Sequence, residues 1–360
     1  MPPRRRPATT RVAIAGCGRI AFLLEQDPLR YKPCTHLGAL RYFAQKDKTI
    51  LPVALCDTDL TRARAAAQFL VHGRSEVLRA RPVLSAVEGD GDSKTMVHGK
   101  KPVLVTQSFA DLLKTKPDLL VIAASTAAHF SMLTAALKAR VPRIIIEKPV
   151  AFSAEEAQKL RQLARKSSSV ILPNYERRYH PKYIRLKQQI SQSDTKASYR
   201  GFFAAGGKSL YATSDGDEGV LLHDTTHLLD LAQYLFGPVK KYAVVAEKKR
   251  HVLYLEHVRG AGGLIETNLG IGVFHLELEV RLADRRITVG NGFQTTERIA
   301  TSRHYRGLKS YAEPQRTGDT KFPVAKNPFV QLYREALYGA PDNAHFFEAL
   351  DNVSMLTGAT

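Results

Sequence analysis

The chain has 360 residues, 44% of them hydrophobic, and carries 53 Lys plus Arg against 34 Asp plus Glu, a net charge of +19. That length and apolar content predict a large core and two domains; no apolar run approaches the roughly 18 residues of a membrane span, so a membrane protein is excluded. Three cysteines, Cys17, Cys34 and Cys56, with no C-x-x-C pair, argue against a disulfide framework or a zinc site and for a reducing, cytoplasmic compartment.

Residues 1–10 are rich in Pro and Arg and read as a disordered basic tail. Arg4-Arg5-Arg6 before V-A-I-A-G-C has the look of an export signal, but the apolar run is too short and serves better as a strand. R-V-A-I-A-G is that strand. A helix follows over 35–46 with Thr35 as N-cap, then a strand over 50–56 and a second helix over 59–70. Residues 72–101 show no period, hold four glycines, and read as a surface insertion without a role. The pattern resumes with strands at 102–105, 118–124, 143–146 and 169–172, alternating with helices at 108–114, 127–139 and 153–166. Strands alternating with helices predict a doubly wound parallel sheet, with ligand bound outside the carboxyl ends of the strands. Beyond about residue 175 comes a helix at 220–235, then five strands between 239 and 300, and a last helix over 343–358. F-H-L-E-L-E-V alternates with period two, so one sheet face is wet or meets a partner. The expected fold is α/β: a dinucleotide-binding domain over 11–150 and an α+β domain with an open, mostly antiparallel sheet over 151–360.

Gly16-Cys17-Gly18-Arg19-Ile20-Ala21 is G-x-G-x-x-A directly after a strand. The first Gly allows the tight turn, the second lets backbone approach a pyrophosphate, and the small Ala lets helix pack on strand. Asp57 stands at the tip of the next strand, where a carboxylate would grip ribose hydroxyls. It follows Gly18 by 39 residues rather than about 20; a segment inserted over Phe22–Cys34 accounts for the excess. Asp57 argues for NAD over NADP, although Arg62 and Arg64 keep NADP open. Ser125 and Thr126, with His129 further on, close another strand; the hydroxyls either line the cofactor crevice or cap the helix.

Three more stretches complete a set: E-K-P at Glu147–Pro149, N-Y-E-R-R-Y-H-P at 174–181, and G-V-L-L-H-D-T-T-H-L-L-D at 219–230. With the glycine turn, they resemble the glucose–fructose oxidoreductase, inositol dehydrogenase and MocA (Gfo/Idh/MocA) family. The resemblance implies NAD(P)-linked oxidation or reduction of a sugar, sugar acid or cyclitol, and a homo-oligomer built through the C-terminal sheet. It implies that Lys148 lies beside the nicotinamide and polarises the substrate oxygen, and that His227 accepts the proton. Asp230 would orient His227. The family's aspartate four residues before the histidine is here His223; either Asp224, three before and on the same helical face, is the substitute, or the chemistry is altered. Gly16, Gly18, Arg19, Ile20, Asp57, Ser125, Thr126, His129, Glu147, Lys148 and Arg178 form the implied cofactor set. Pro149 would fix the turn, with a cis bond as one route.

Two other readings stand beside this one. A dinucleotide-binding sensor without turnover would explain the altered His223–Asp224 arrangement, but has no need of Lys148 and His227. Net +19 suggests nucleic acid, but no helix-turn-helix, zinc finger or RNP-like strand supports a specific site. The pair His223 and His227 has helical spacing for a metal but lacks a third ligand; no metal is expected.

Overall fold

The computed structural model describes residues 9–72, 94–98, 101–193, 196–205, 216–318 and 322–358. The basic tail therefore lies outside the described residues, except that Thr10 already belongs to a strand. Two compact units form: Met1–Ala151 with Glu155–Glu176 and Val324–Phe347, and Phe152–Ala154 with Arg177–Pro323 and Glu348–Thr360. The chain thus returns to the first unit twice beyond residue 150, where the sequence suggests a single boundary.

The first unit holds a seven-stranded sheet. Its strands are β1 (Thr10–Ala15), β2 (Ile50–Cys56), β3 (Lys94–His98), β4 (Lys101–Thr106), β5 (Leu119–Ile122), β6 (Arg143–Ile146) and β7 (Val170–Pro173). They run in the order β3-β4-β2-β1-β5-β6-β7. All neighbours are parallel except β3 with β4. The parallel strands form a Rossmann sheet, with its switch in direction between β1 and β5. β5 is wholly buried and β6 nearly so, as continuous apolar runs require when both faces of a sheet are covered. Helices α1 (His36–Lys46), α2 (Leu60–His72), α3 (Phe109–Lys114), α4 (Thr126–Lys138) and α5 (Ala154–Arg165) connect them. Thr35 caps α1 as expected, its side chain accepting from the Gly38 amide at 3.1 Å. The expected insertion over 72–101 is corrected in part. Lys94–His98 extends the sheet as an antiparallel edge strand, while 73–93 and 99–100 lie outside the described residues. A Gly-Lys pair between two β-prone runs is a hairpin signal that a search for helical or strand period over thirty residues dilutes.

A helix absent from the sequence reading, α8 (Pro328–Tyr338), also belongs to this unit. Its signal is local: Asn327 caps it, accepting from the Phe329 and Val330 amides, with Pro328 at the first position. The Asn327 amide also donates to the Pro33 carbonyl at 2.9 Å, and Tyr333 stacks on Phe43 of α1.

The second unit is an open sheet under one long helix. The sheet comprises β8 (Ser198–Ala205), β9 (Val239–Glu247), β10 (Arg250–His257), β11 (Gly262–Asn268), β12 (Phe274–Arg281), β13 (Arg285–Gly290), β14 (Phe293–Thr301), β15 (Lys309–Tyr311) and β16 (Gln315–Gly318). The order is β15-β14-β13-β12-β8-β11-β10-β9, with β16 beside β14. Only β8 and β11 pair in parallel. β8 and β14, and helix α6 (Pro181–Ser191), are further elements the sequence reading leaves unassigned. Alternation works as expected in β12, where Leu276, Leu278 and Val280 are buried. They join Leu228, Leu229, Leu231, Ala232 and Leu235 of helix α7 (Gly216–Phe236) in one apolar core. The opposite sheet face exposes Val245 and Tyr254. The final helix is α9 (Ala344–Thr357).

Candidate active site

The glycine turn leaves β1 at the sheet's switch point. Gly16 has φ +88°, and a Cβ there would lie 2.5 Å from the Ala123 and Ala124 backbone at the end of β5. Only glycine fits both conditions. At Gly18 a Cβ would meet nothing within 4 Å. The turn is thus pressed against the sheet at its first glycine and open at its second, which is what close approach of a pyrophosphate needs. The chain then makes a helical turn, Phe22 N–H donating to Gly18 O at 2.9 Å, and leaves for the inserted loop. It returns at α1, where His36 and Leu37 donate to the Ile20 and Ala21 carbonyls. With 22–34 excised, those partners would be one helical turn apart, so the insertion interrupts a helix start without displacing it. Buried Glu25 holds the loop closed, accepting from the Cys34 amide and the Thr35 hydroxyl. Arg19 and Ile20 are half-buried beside the turn.

Asp57 lies where the sequence suggests, at the tip of β2, and is buried. Its Oδ2 accepts from the Cys17 amide at 2.6 Å and its Oδ1 from the Asp59 amide at 2.8 Å. The carboxylate therefore braces the glycine turn itself, a task the spacing does not reveal. Each oxygen retains a second lone pair for a ribose hydroxyl. Ser125 occupies the N-cap position of α4, but its side chain makes no capping bond; Thr126 opens the helix. His129 is buried, with Nδ1 2.8 Å from Pro149 O and Nε2 3.1 Å from Ala124 O. It is a strut between the end of β5 and the E-K-P turn.

That turn begins where β6 ends. Glu147 continues the ladder, its amide donating to Ile122 O at 2.9 Å, and the Lys148–Pro149 bond is cis. The Glu147 carboxylate is buried inside the unit: Oε1 accepts from Asn174 Nδ2 at 2.5 Å and contacts His36 Nε2 at 2.8 Å. Burial pushes its pKa up, but the His36 hydrogen bond and charge, Lys148 and Asn174 outweigh burial and hold it below the ordinary value. Tyr333, whose hydroxyl is kept protonated by burial and by Glu147, meets His36 Nδ1 at 3.3 Å. Lys148 itself is buried, at 7% exposure.

In the second unit, α7 is buried nearly all round over residues 222–236, and polar groups lie among its leucines. Asp224, Thr225, Thr226, His227 and Asp230 are all buried. His223 Nδ1 sits 2.8 Å from Asp224 Oδ1, while Asp224 Oδ2 is buried with no hydrogen-bond partner among the described residues. His227 packs edge-on against Phe203 and His223, and its Nδ1 is 2.6 Å from an Arg177 guanidinium nitrogen. Both Asp230 oxygens accept from Arg178, which reaches Glu348 as well. Burial disfavours that guanidinium's charge, but the two carboxylates outweigh it and hold its pKa above the ordinary range. Arg178, expected at the cofactor, thus has Nε and one terminal nitrogen committed to carboxylates within its own unit. Arg177, its neighbour on the short 3-10 turn Glu176–Tyr179, is the one that meets the histidine.

Among the described residues no group of three or more His, Cys, Asp or Glu side chains could hold a metal ion, and no helix is long and apolar enough to cross a membrane.

Residues 10–175 match the family model described as "Oxidoreductase family, NAD-binding Rossmann fold". Solved structures share the fold across almost the entire chain. One is the UDP-N-acetylglucosamine 3-dehydrogenase GnnA from Acidithiobacillus ferrooxidans, at 18% identity and TM-score 0.63 over 98% of each chain. Another is GenD2 from gentamicin A biosynthesis, solved in complex with NAD, at 17% identity and TM-score 0.65 over 98% of this chain and 93% of that one. A third is a Gfo/Idh/MocA family oxidoreductase from Vibrio cholerae, at 17% identity and TM-score 0.65 over 98% and 96%. The first unit is thus similar to the NAD-binding Rossmann domain of that oxidoreductase family.

Proposed function

We propose that this protein is an NAD-dependent dehydrogenase or reductase acting on a hydroxyl or carbonyl carbon of a sugar, sugar acid or cyclitol. The observation that carries this reading is Asp224 Oδ2, a buried carboxylate oxygen without a partner among the described residues, three residues before His227. Leaving such an acceptor unpaired is costly, so it marks a place for a ligand donor, and a polyol offers many. Bound NAD supplies a hydride acceptor or donor at its nicotinamide. The glycine turn and Asp57 hold the dinucleotide, and Lys148 and His227 engage the reacting oxygen. GnnA is a similar protein named as a UDP-N-acetylglucosamine 3-dehydrogenase, which favours a sugar-class substrate here. We place the reaction in a reducing compartment, and self-association at the outer sheet face that exposes Val245 and Tyr254.

The test is a reduction-coupled absorbance screen with NAD and NADP against sugars, sugar phosphates, inositols and their oxidised forms. Turnover that Asp224→Ala weakens chiefly through KM supports the reading. Tight NAD binding without turnover across the panel would replace it with a dinucleotide sensor.

A further inference from the structure

We infer that β9 is a pairing strand: two copies of this chain join edge to edge, β9 against β9 in antiparallel register, with Lys241 of each copy opposite Glu247 of the other. This goes beyond the self-association placed at the outer sheet face. It extends the sheet in its own plane and uses the backbone of the strand rather than that face.

The two ends of the second unit's sheet differ. One is β15, three residues long and too short to template another strand. The other is β9, nine residues long, which pairs with β10 and with no other strand among the described residues. Its centre, Tyr242-Ala243-Val244-Val245-Ala246, carries no charge. Val244 is half-buried there and the other four residues are exposed. Glu247 and Arg250 close the two-residue turn opposite each other, and so close to the turn they form a hydrogen-bonded pair. The odd-numbered residues of β9 therefore turn their N–H and C=O groups toward β10. Tyr242, Val244 and Ala246 turn theirs to the open edge, and a long, uncharged, exposed edge of this kind invites another strand.

Charge selects the occupant. Directly opposed residues of an antiparallel pair have backbones that face alike. A strand meeting its own copy across a two-fold axis therefore opposes odd with odd and even with even. Centred on Val244, the rule sets Val244 against its counterpart, Tyr242 against Ala246, Ala243 against Val245 and Lys241 against Glu247, and symmetry repeats each unlike pair. Tyr242, Val244 and Ala246 then exchange the backbone hydrogen bonds. Centred on Ala243, Lys241 would face Val245; centred on Val245, it would face Lys249. Of these three registers only the one on Val244 opposes unlike charges, which is the stabilising arrangement across strands. Within one chain Lys241 reaches Glu256 at 3.9 Å and Glu247 reaches Arg250 at 3.7 Å. These are long contacts of exposed side chains, too weak to withhold either charge from a partner.

The test is sedimentation velocity on the full chain over a concentration series, in the unmodified protein and in Tyr254→Glu, whose charge disables the outer face. Both should dimerise. In the Tyr254→Glu background, Lys241→Glu and Glu247→Lys should each weaken the dimer by about tenfold, and the two together should restore it to within a few-fold. Lys240→Glu makes the same change of charge on the opposite side of the strand and should not weaken it. Ala246→Pro removes an edge-facing N–H and no bond to β10; it should abolish the dimer with the far-UV circular dichroism unchanged. If that variant does not fold, the charge exchange decides. Absence of recovery in the double exchange, or a dimer indifferent to a folded Ala246→Pro, overturns the inference. So does a Tyr254→Glu chain that stays monomeric at every concentration, which would assign any association of the unmodified protein to the outer face alone.

Discussion

Replacing Glu147 tests the buried network behind Lys148. Glu147→Ala removes the acceptor shared by Asn174 Nδ2 and His36 Nε2, both inside the first unit. Breaking a buried charged pair by deleting one partner costs about 3–5 kcal/mol. For a unit of this size each kcal/mol moves Tm by about 2–4 °C, so the first unit's transition should fall by roughly 10 °C. Glu147→Gln keeps an amide oxygen toward Asn174 and should cost only about 1–2 kcal/mol. The assay is differential scanning calorimetry, with the transition assigned to the first unit by its response to added NAD. The wild-type protein carries a pH signature too. Glu147 sits below its ordinary value in the folded state. Its stabilisation is therefore complete above about pH 4.3 and disappears as pH falls through the lower, folded-state titration; Glu147→Gln abolishes that acid loss. In kinetics, the same variant removes a negative charge beside Lys148, so the lysine-dependent limb of the pH–rate profile should move to lower pH. A loss below about 1 kcal/mol in Glu147→Ala, or equal losses in Ala and Gln, would show that the network is not what anchors the E-K-P turn.

Lys148→Ala should lower kcat by at least about 100-fold, the scale of a general acid–base group, with NAD affinity within a few-fold by fluorescence titration; unchanged kcat makes the lysine a bystander. Asp57→Ala should weaken NAD and relax selection against NADP. Asp57→Asn should retain more affinity, because an amide oxygen can still accept from the Cys17 amide. Identical affinities in the two variants would remove the bracing role. Gly16→Ala combines strained φ with a Cβ 2.5 Å from the Ala123 and Ala124 backbone. It should cost about 2–5 kcal/mol in urea unfolding, and a neutral result would mean that the turn is not pressed against β5.

The Rossmann half was legible because its signals are local and periodic. Apolar runs such as Leu119–Ile122 can only be buried strands, and the φ demanded at Gly16 admits no other residue. Thr35 and Ser108 announce their helices by capping chemistry. Elements escaped where the signal was short or diluted. Lys94–His98 hides in a Gly-rich stretch, and α8 reads as a tail until Asn327 is recognised as its cap.

The sequence by itself determined which residue types stand at the ends of β1, β2, β5 and β6, because those positions follow from the period of the strands that precede them. It also supplied Lys148, Asp224 and His227 as candidates. Only the tertiary structure decided what each side chain does with its hydrogen bonds. Glu147 finds His36 across 111 residues, Arg178 takes Asp230, and the adjacent Arg177 takes His227 across 50. Nothing in local spacing distinguishes two consecutive arginines. Which one points at a carboxylate and which at an imidazole is settled by where the chain turns after β7.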